Sequence, residues 1–456
     1  MAQEDELRFV VDSDNVDAPA AEEISEELFS LDQEVDQDAS GPDSPQDADR
    51  LVQAREALRG GKPIFLVQRS HQHSAIIPTL LQEVSSRHTD TLSLGVVAPM
   101  PRMRPKGPSS VENLFRNTAA TAPIQIADPE CFARLDSYGD TLKAQRDDKP
   151  YVGNSTASKW DYFNRPLSAG WEPEWVAEVV ETQRAQGATV LLTPGLWMDP
   201  AERVQSLSVL RDTVNWSRQT ISSQENLAVN ITIPSSWLTT ERLREYLLAE
   251  MLDLDEDVFY VRVRWPLLSQ PYGQMIVPEI LDGYMELAAV CEENDKVLIL
   301  PNTSMTGWLS LAWGANGFST GIGSGERAFA DTKVIKIKRT TPRPAPTNRT
   351  FNTSLLHVVD LQTERLLADL PDYRACQCEF CRTQIPGTWD KGKAGAHYLQ
   401  AVADTIASSS RHPRGARAGS RSVVRQALAF KEAADPPVPL EGANAPKHLD
   451  VWFARL

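Results

Sequence analysis

Short apolar runs alternate with amphipathic segments along residues 51–331, and this alternation limits the folds open to the chain. The runs have the length and composition of buried strands, and nearly all are followed by a segment of helical period. Strands that alternate with helices form parallel sheets, and eight such units close a barrel. The sequence therefore predicts an α/β fold built on a (β/α)8 TIM-type barrel, with a doubly wound open sheet as the alternative. The eight predicted strands are 63–67, 92–97, 123–128, 188–193, 227–233, 258–263, 296–300 and 317–322.

Changes in composition divide the chain into parts. No run approaches 18 apolar residues, and the first residues lack the basic-then-apolar layout of a secretory signal. These features predict a cytoplasmic protein without a membrane partner, and the isolated Cys131 and Cys291 agree with a reducing compartment. The predicted parts are a disordered acidic leader (1–50), the barrel (51–331), a zinc-binding basic subdomain (332–434) and a flexible tail (435–456).

Nearly all of the net charge of −16 belongs to the leader. Residues 1–50 hold 17 Asp or Glu against two Arg, a net of −15, so the remaining residues sum to −1. With few aromatic residues, this composition buries too little surface to offset the entropy of ordering. Two interpretations stay open: the leader mimics a polyanion or engages a protein partner, or it is a solubilising tail.

Three of the five cysteines, Cys376, Cys378 and Cys381, fall within six residues. Thiolates at this spacing can point at one centre from a tight turn, and Zn2+ would complete its tetrahedron with a distant histidine. The spacing therefore predicts a bound zinc ion. The alternative is a cluster of buried or free thiols.

Two segments on either side of the cysteines, 332–359 and 411–431, contain no acidic residue. In a chain with surplus acid, this clustering indicates phosphate contacts, because each guanidinium offers a planar fork to phosphate oxygens. The alternatives are a solvated face or a docking site for the acidic leader. The candidate nucleic-acid-binding residues are Lys336, Lys338, Arg339, Arg414, Arg417, Arg421 and Arg425.

Three stretches of sequence together are similar to the tRNA-guanine transglycosylase superfamily. They are ACQCEFC at 375–381, AHYLQAVADTIASSSRH at 396–412 and RSVVRQALAF at 421–430. The resemblance implies a (β/α)8 barrel followed by a zinc subdomain. It implies His412 as the fourth zinc ligand, after the three cysteines, and His397 is the alternative.

The resemblance also implies which positions would carry the chemistry. Members of the superfamily use an aspartate on the last strand as nucleophile, and the corresponding position here is Ser319. A serine lacks the negative charge that suits an oxocarbenium-like centre. The candidate carboxylates are Asp128, which ends a predicted strand, and Asp199, in the loop after another.

The expected function is that of a transglycosylase-like transferase, which binds or exchanges a deazaguanine-type base with altered catalytic residues. The alternative is a catalytically inactive binding subunit of an antiviral defence or nucleic-acid-modification complex. The implied partners are tRNA, DNA or a deazaguanine-modified partner, a protein bound through the leader, and a second copy of the chain.

Overall fold

The structure is a computed structural model. It describes residues 45–69, 75–134, 159–165, 171–266, 272–331, 349–378, 381–382 and 391–456. Residues 1–44 of the predicted disordered leader (1–50) lie outside the described residues.

Eight parallel strands form the central sheet, in the order β3-β2-β1-β8-β7-β6-β5-β4. The two ends of this order meet at one parallel bridge between Ile126 of β3 and Val190, just before β4. The molecule is therefore a mixed α/β protein with a nearly closed, TIM-like barrel, and all eight predicted strands are confirmed. The strands are β1 (Ile64–Gln68), β2 (Ser93–Pro99), β3 (Ile124–Asp128), β4 (Leu191–Leu192), β5 (Leu227–Pro234), β6 (Val258–Arg264), β7 (Val297–Leu300) and β8 (Gly317–Gly321).

Helices follow most of the strands and pack around the barrel. The helices of the described residues up to 331 are Pro45–Arg59, Ile76–His88, Val111–Thr118, Asp161–Asn164, Pro173–Ala185, Arg203–Thr220, Ser236–Thr239, Glu241–Asp253, Pro278–Glu293, Ser304–Leu311 and Ser324–Arg327.

The first of these, the cap helix Pro45–Arg59, covers the amino-terminal end of the barrel. Its Ala54 and Leu58 join a buried cluster with residues that begin the strands, such as Ile64 of β1. Arg59 makes an ion pair with Asp257, immediately before β6. The cap helix begins ahead of the predicted boundary at residue 50.

The barrel interior changes from apolar to polar along the strands. Successive residues of a strand point to opposite faces, so every second residue faces the barrel axis. The apolar cluster of the amino-terminal half gives way to buried polar side chains toward the carboxyl end. These are Gln68, Asp128, Asn230, Tyr260, Arg262 and Ser319.

Beyond residue 348 the chain builds a smaller unit on the outside of the barrel. Strands β9 (Arg349–Asn352) and β10 (His357–Asp360) pair antiparallel. The ligand helix Lys391–Ser410 packs against the barrel helix Ile76–His88, where Asp404 contacts the Arg87 guanidinium at 3.1 Å. The remaining helices are Leu361–Ala368, the arginine helix Ala416–Ala434 and the last helix His448–Phe453.

The prediction of a flexible tail at 435–456 is wrong. In the last helix, Leu449 and Trp452 are fully buried. The Trp452 indole nitrogen donates to the Met275 carbonyl at 2.8 Å, which ties the helix to the segment after β6. The prediction rested on the Pro- and Gly-rich composition of 435–447, whereas the apolar residues that pack on the barrel follow it in the last helix.

None of the helices in the described part of the chain is both long and apolar enough to cross a membrane.

Candidate metal centre and barrel end

Four side chains converge outside the barrel, where the loop after the helix Leu361–Ala368 meets the ligand helix. Cys376, Cys378, Cys381 and His397 offer ligand atoms that all lie within 4.8 Å of one another. Cys378 and His397 are buried, and the other two thiols are half-buried. This Cys3His group confirms that the three predicted cysteines point at one centre.

The spacing of the ligand atoms fits a tetrahedral ion. The Sγ atoms of Cys378 and Cys381 lie 3.3 Å and 3.4 Å from the His397 Nδ1 atom. Bonds of about 2.3 Å to sulfur and about 2.0 Å to nitrogen place such ligand pairs about 3.5 Å apart. Three thiols and one imidazole are the donors that soft and borderline ions prefer in closed sites. The group could therefore hold a metal ion.

Neighbouring backbone groups orient the ligands. The other ring nitrogen of His397, Nε2, lies 2.7 Å from the Phe351 carbonyl oxygen of β9, so it donates and leaves Nδ1 facing the thiols. The Cys381 backbone N–H points at the Cys378 sulfur at 3.4 Å. Hydrogen bonds with the Cys376 and Cys381 thiols hold the pKa of the Cys378 thiol well below its usual range. The same contacts raise the pKa of the Cys381 thiol, so they favour the metal-binding thiolate form at Cys378 over Cys381.

The implied fourth ligand, His412, is not in this group, and His397 takes the place instead. His397 lies near the start of the ligand helix, whereas His412 follows its end at Ser410. With a rise of 1.5 Å per residue, the helix separates the two positions by about 20 Å. The His412 Nδ1 atom accepts instead from the Arg414 backbone N–H at 3.2 Å.

A tyrosine next to the metal-facing histidine reaches the barrel. The Tyr398 hydroxyl hydrogen-bonds Ser304, at the start of the helix after β7, and lies 2.9 Å from the Thr320 hydroxyl of β8. The Arg327 guanidinium stacks on the Tyr398 ring, 4.0 Å from its centroid. The Cys3His group is therefore attached to the carboxyl end of the barrel through the residue that follows His397.

Inside that end of the barrel, a buried ion pair joins β3 and β6. The Arg262 guanidinium contacts the Asp128 carboxylate, and the two side chains are 1% and 0% exposed. The other Asp128 oxygen accepts from the Glu130 backbone N–H at 3.1 Å. Burial lowers the pKa of Arg262, but Asp128, Tyr260 and Glu130 together outweigh this and the net shift is upward, so the guanidinium stays charged.

Aromatic side chains surround this ion pair. The Arg262 guanidinium carbon lies 4.9 Å from the Phe132 ring centroid and 5.9 Å from that of Phe329. Trp197 packs with Phe132 in a small separate cluster. The Arg264 guanidinium carbon lies 5.6 Å from the Trp197 ring centroid. The rings come from loops after three different strands. The guanidinium that pairs with the candidate carboxylate Asp128 therefore lies among aromatic rings.

Ser319 is linked to Asp128 by a chain of polar contacts. Arg262 Nε donates to the Asn302 side-chain oxygen at 3.3 Å, and the Asn302 backbone N–H donates to Ser319 Oγ at 2.9 Å. Ser319 in turn donates to Gln68 Oε1 at 3.1 Å. The structure therefore brings two of the three candidate catalytic residues into one buried network. Ser319 both donates and accepts there.

Asp199, the third candidate, has a local structural contact. Its carboxylate accepts from the Ala201 backbone N–H at 2.8 Å and caps the short 3-10 helix Pro200–Glu202. It lies in the loop after β4, and no contact of the described residues joins its side chain to the Asp128 network.

Sequence reasoning missed Glu130, which follows β3 by two residues. It is buried, pairs with Arg102 at 3.2 Å, and has a left-handed backbone with φ of 45°. A non-glycine residue in this region is strained, and such residues concentrate at functional sites. Burial raises the pKa of Glu130, Arg102 opposes the shift, and Asp128 adds to it. The available signal was an acid two residues beyond a strand end.

The candidate nucleic-acid residues divide into two sets. Lys336, Lys338 and Arg339 lie outside the described residues. The other four form the arginine stripe: Arg414, Arg417, Arg421 and Arg425, in the turn before the arginine helix and along it.

Comparison of the chain with protein-family models finds no match, and no curated protein matches it either.

Proposed function

We propose that this chain is a tRNA-guanine transglycosylase-like protein that binds a deazaguanine-type base on tRNA, DNA or another conjugate without exchanging it. The observation that carries the proposal is the Cys3His group in the unit that follows a nearly closed, TIM-like barrel. The resemblance implies a barrel followed by a zinc subdomain, although with His412 rather than His397 as the fourth ligand. Ligands of such barrels bind at the carboxyl ends of the strands, where Asp128 and Arg262 lie.

The environment of Asp128 favours binding over exchange. A carboxylate nucleophile must reach the reacting carbon, whereas this carboxylate is paired with Arg262 and is fully buried. Ser319, at the position of the family's nucleophile, already donates its proton to Gln68. A serine needs an adjacent base to become nucleophilic, and a neutral amide cannot act as one.

We assign zinc to the Cys3His group and a stabilising role to the ion. Three cysteines and one histidine are a common donor set for structural zinc, in which no coordination position is left for substrate. When bound, zinc would supply a fixed crosslink between the 376–381 loop and the ligand helix. His397, Cys376, Cys378 and Cys381 would hold it.

Base exchange is the second candidate, and Glu130 is the observation that favours it. A buried carboxyl group with a raised pKa at a barrel mouth has the properties of a general acid. If exchange occurs, Glu130 would protonate the departing base. Its partner Arg102 comes from the segment after β2 and would hold the carboxyl group in place.

The test combines a binding assay with an exchange assay on the full chain. Anisotropy titrations would compare tRNA and DNA oligonucleotides that carry either guanine or a deazaguanine, with Arg421→Glu as the variant that weakens phosphate contacts. Parallel incubations with radiolabelled guanine would measure incorporation, with Glu130→Gln as the comparison.

Binding that prefers the deazaguanine oligonucleotide, without incorporation of label, is the expected result. Incorporation that Glu130→Gln abolishes would replace the binding proposal by exchange. No binding to any oligonucleotide together with no incorporation would overturn both candidates.

A further inference from the structure

The arginine stripe is a cationic surface whose members pair with no Asp or Glu side chain of the described residues. Arg421 and Arg425 stack on the Phe453 ring, 4.6 Å and 5.9 Å from its centroid. Arg417 donates to a main-chain oxygen of Leu456, the last residue of the sequence, at 3.3 Å. Among the described residues, no Asp or Glu forms an ion pair with Arg414, Arg417, Arg421 or Arg425.

Some other exposed or half-exposed arginines, such as Arg59, Arg116 and Arg218, do pair with carboxylates. In the arginine stripe, by contrast, four arginines follow one another at intervals of three or four residues without such a partner. A row of unpaired guanidiniums raises the local positive potential, which favours a polyanionic partner.

The stripe begins at the amino-terminal end of the barrel. Arg411, in the turn before the arginine helix, donates to the Thr91 hydroxyl at 2.8 Å, and Thr91 lies two residues before β2. The cap helix covers the same end of the barrel, and it is the element to which the acidic leader is joined at Pro45. Leader and stripe therefore meet the barrel at the same end.

The leader has the charge and length to reach the whole stripe. Residues 1–44 contain 15 Asp or Glu and a single Arg. A segment of 44 residues spans up to about 150 Å when extended, several times the length of the arginine helix at about 29 Å. Because the leader is tethered, its effective concentration at the stripe is of millimolar order.

We propose that the acidic leader, residues 1–44, docks on the arginine stripe and competes there with nucleic acid. Its carboxylates take the places that phosphates would occupy on Arg414, Arg417, Arg421 and Arg425. Nucleic acid must displace the leader to bind. Docking of the leader therefore weakens the apparent affinity of the stripe for nucleic acid. The docking is inferred from charge and position alone. Only the identification of the competitor as nucleic acid rests on the proposed function.

The experiment maps the contact covalently in the full chain. Arg417→Lys and Arg421→Lys keep the charge and introduce amines that a zero-length carbodiimide can couple to carboxylates. Mass spectrometry would then identify the partners. Arg116→Lys, at an exposed position whose arginine pairs with Glu112, is the matched control.

We expect amide links from positions 417 and 421 to acids of residues 1–44 at low salt, and at least tenfold fewer at about 0.5 M salt. Position 116 should give links to Glu112 but not to the leader. Leader links that are as frequent at position 116 as at 421, or none at either, would overturn the proposal.

A second measurement separates this proposal from the proposed function. Replacing the 15 leader acids by their amides should raise the affinity of the full chain for an oligonucleotide about tenfold at low salt. Leader links without any oligonucleotide binding would sustain the docking and reject the nucleic-acid function. Unchanged affinity in a chain that does bind oligonucleotide would reject the competition.

Discussion

Asp128 and Arg262 form a buried ion pair at the carboxyl end of the barrel. Both are removed from water, so each charge depends on the other for compensation. Breaking a buried pair by removing one partner is far more costly than replacing both, because it leaves an uncompensated buried charge. The pair therefore constrains any substitution at either position.

We predict that Asp128→Asn lowers the free energy of unfolding by about 3–5 kcal/mol, because it leaves the Arg262 guanidinium buried without a counter-charge. The double variant Asp128→Asn with Arg262→Met should recover much of this loss. Urea denaturation followed by circular dichroism at saturating metal would measure both.

Asp199→Asn is the matched control, because asparagine caps a helix about as well as aspartate does. It should change the free energy of unfolding by less than about 0.5 kcal/mol. A cost for Asp128→Asn no larger than that of the control would contradict the assignment of a stabilising ion pair.

The arginines of β6 show how much of the ion pair the sequence itself indicates. The strand reads Val258-Phe-Tyr-Val-Arg-Val-Arg264, with two charges at alternate positions of an otherwise apolar run. Alternate positions share a face, so the pattern places both guanidiniums on one face of the strand, and the structure shows that both are buried. The Asp128 partner could not be read from the sequence, because it lies 134 residues away.

At the scale of elements, the strands followed from the sequence, but the length of one of them, β4, did not. β4 was predicted over 188–193 and is only Leu191–Leu192. Gly195, with φ of 67°, turns the chain out of strand geometry soon afterwards. Local propensity locates a buried run, but its pairing depends on neighbours that are distant in sequence.

The ligand helix explains why the cysteines of the candidate metal centre were predictable and the histidine was not. Cys376, Cys378 and Cys381 lie in one short loop, so their spacing alone brings them together. Either His397 or His412 satisfied the sequence pattern. Only the direction in which the helix leaves the centre distinguishes them, since it carries His412 away.

This element yields a prediction about metal content. His397→Gln should lose at least about tenfold in zinc affinity, because it removes one of four ligands, whereas His412→Gln should retain full affinity. Metal analysis of the purified variants, with competition by a chromogenic chelator, measures the difference. Loss of metal in His412→Gln with retention in His397→Gln would restore the implied ligand.

At the scale of the whole molecule, the outer unit, the barrel and the last helix meet at a pair of buried histidines. His357 of β10 and His448 of the last helix have ring centroids 5.5 Å apart. The His357 ring also lies 2.9 Å from Gln274, in the segment after β6. Three parts that the sequence analysis divided are thus packed around one site.

Burial lowers the pKa of His357 to about 4 and the pKa of His448 well below its usual value. The unfolded chain binds protons near pH 6.5, whereas the folded chain does not. Stability is therefore complete above about pH 6.5 and falls as the pH drops toward 4. Each histidine contributes a slope of up to about 1.4 kcal/mol per pH unit within this window.

We predict that His448→Phe reduces the loss of stability between pH 6.5 and pH 5, because phenylalanine fills the site beside Trp452 without a proton to gain. The His448 Nε2 atom has no hydrogen-bond partner among the described residues, so the hydrogen bond that the variant loses is the one between the ring and the Leu356 backbone. Urea denaturation at both pH values would give the difference for the wild type and the variant. As a control, His412→Gln removes a histidine outside this cluster and should leave the loss of stability between the two pH values unchanged. Any acid sensitivity of the Cys3His group is common to the wild type and both variants. Equal pH dependence in wild type and His448→Phe would mean that the buried pair does not link protonation to unfolding.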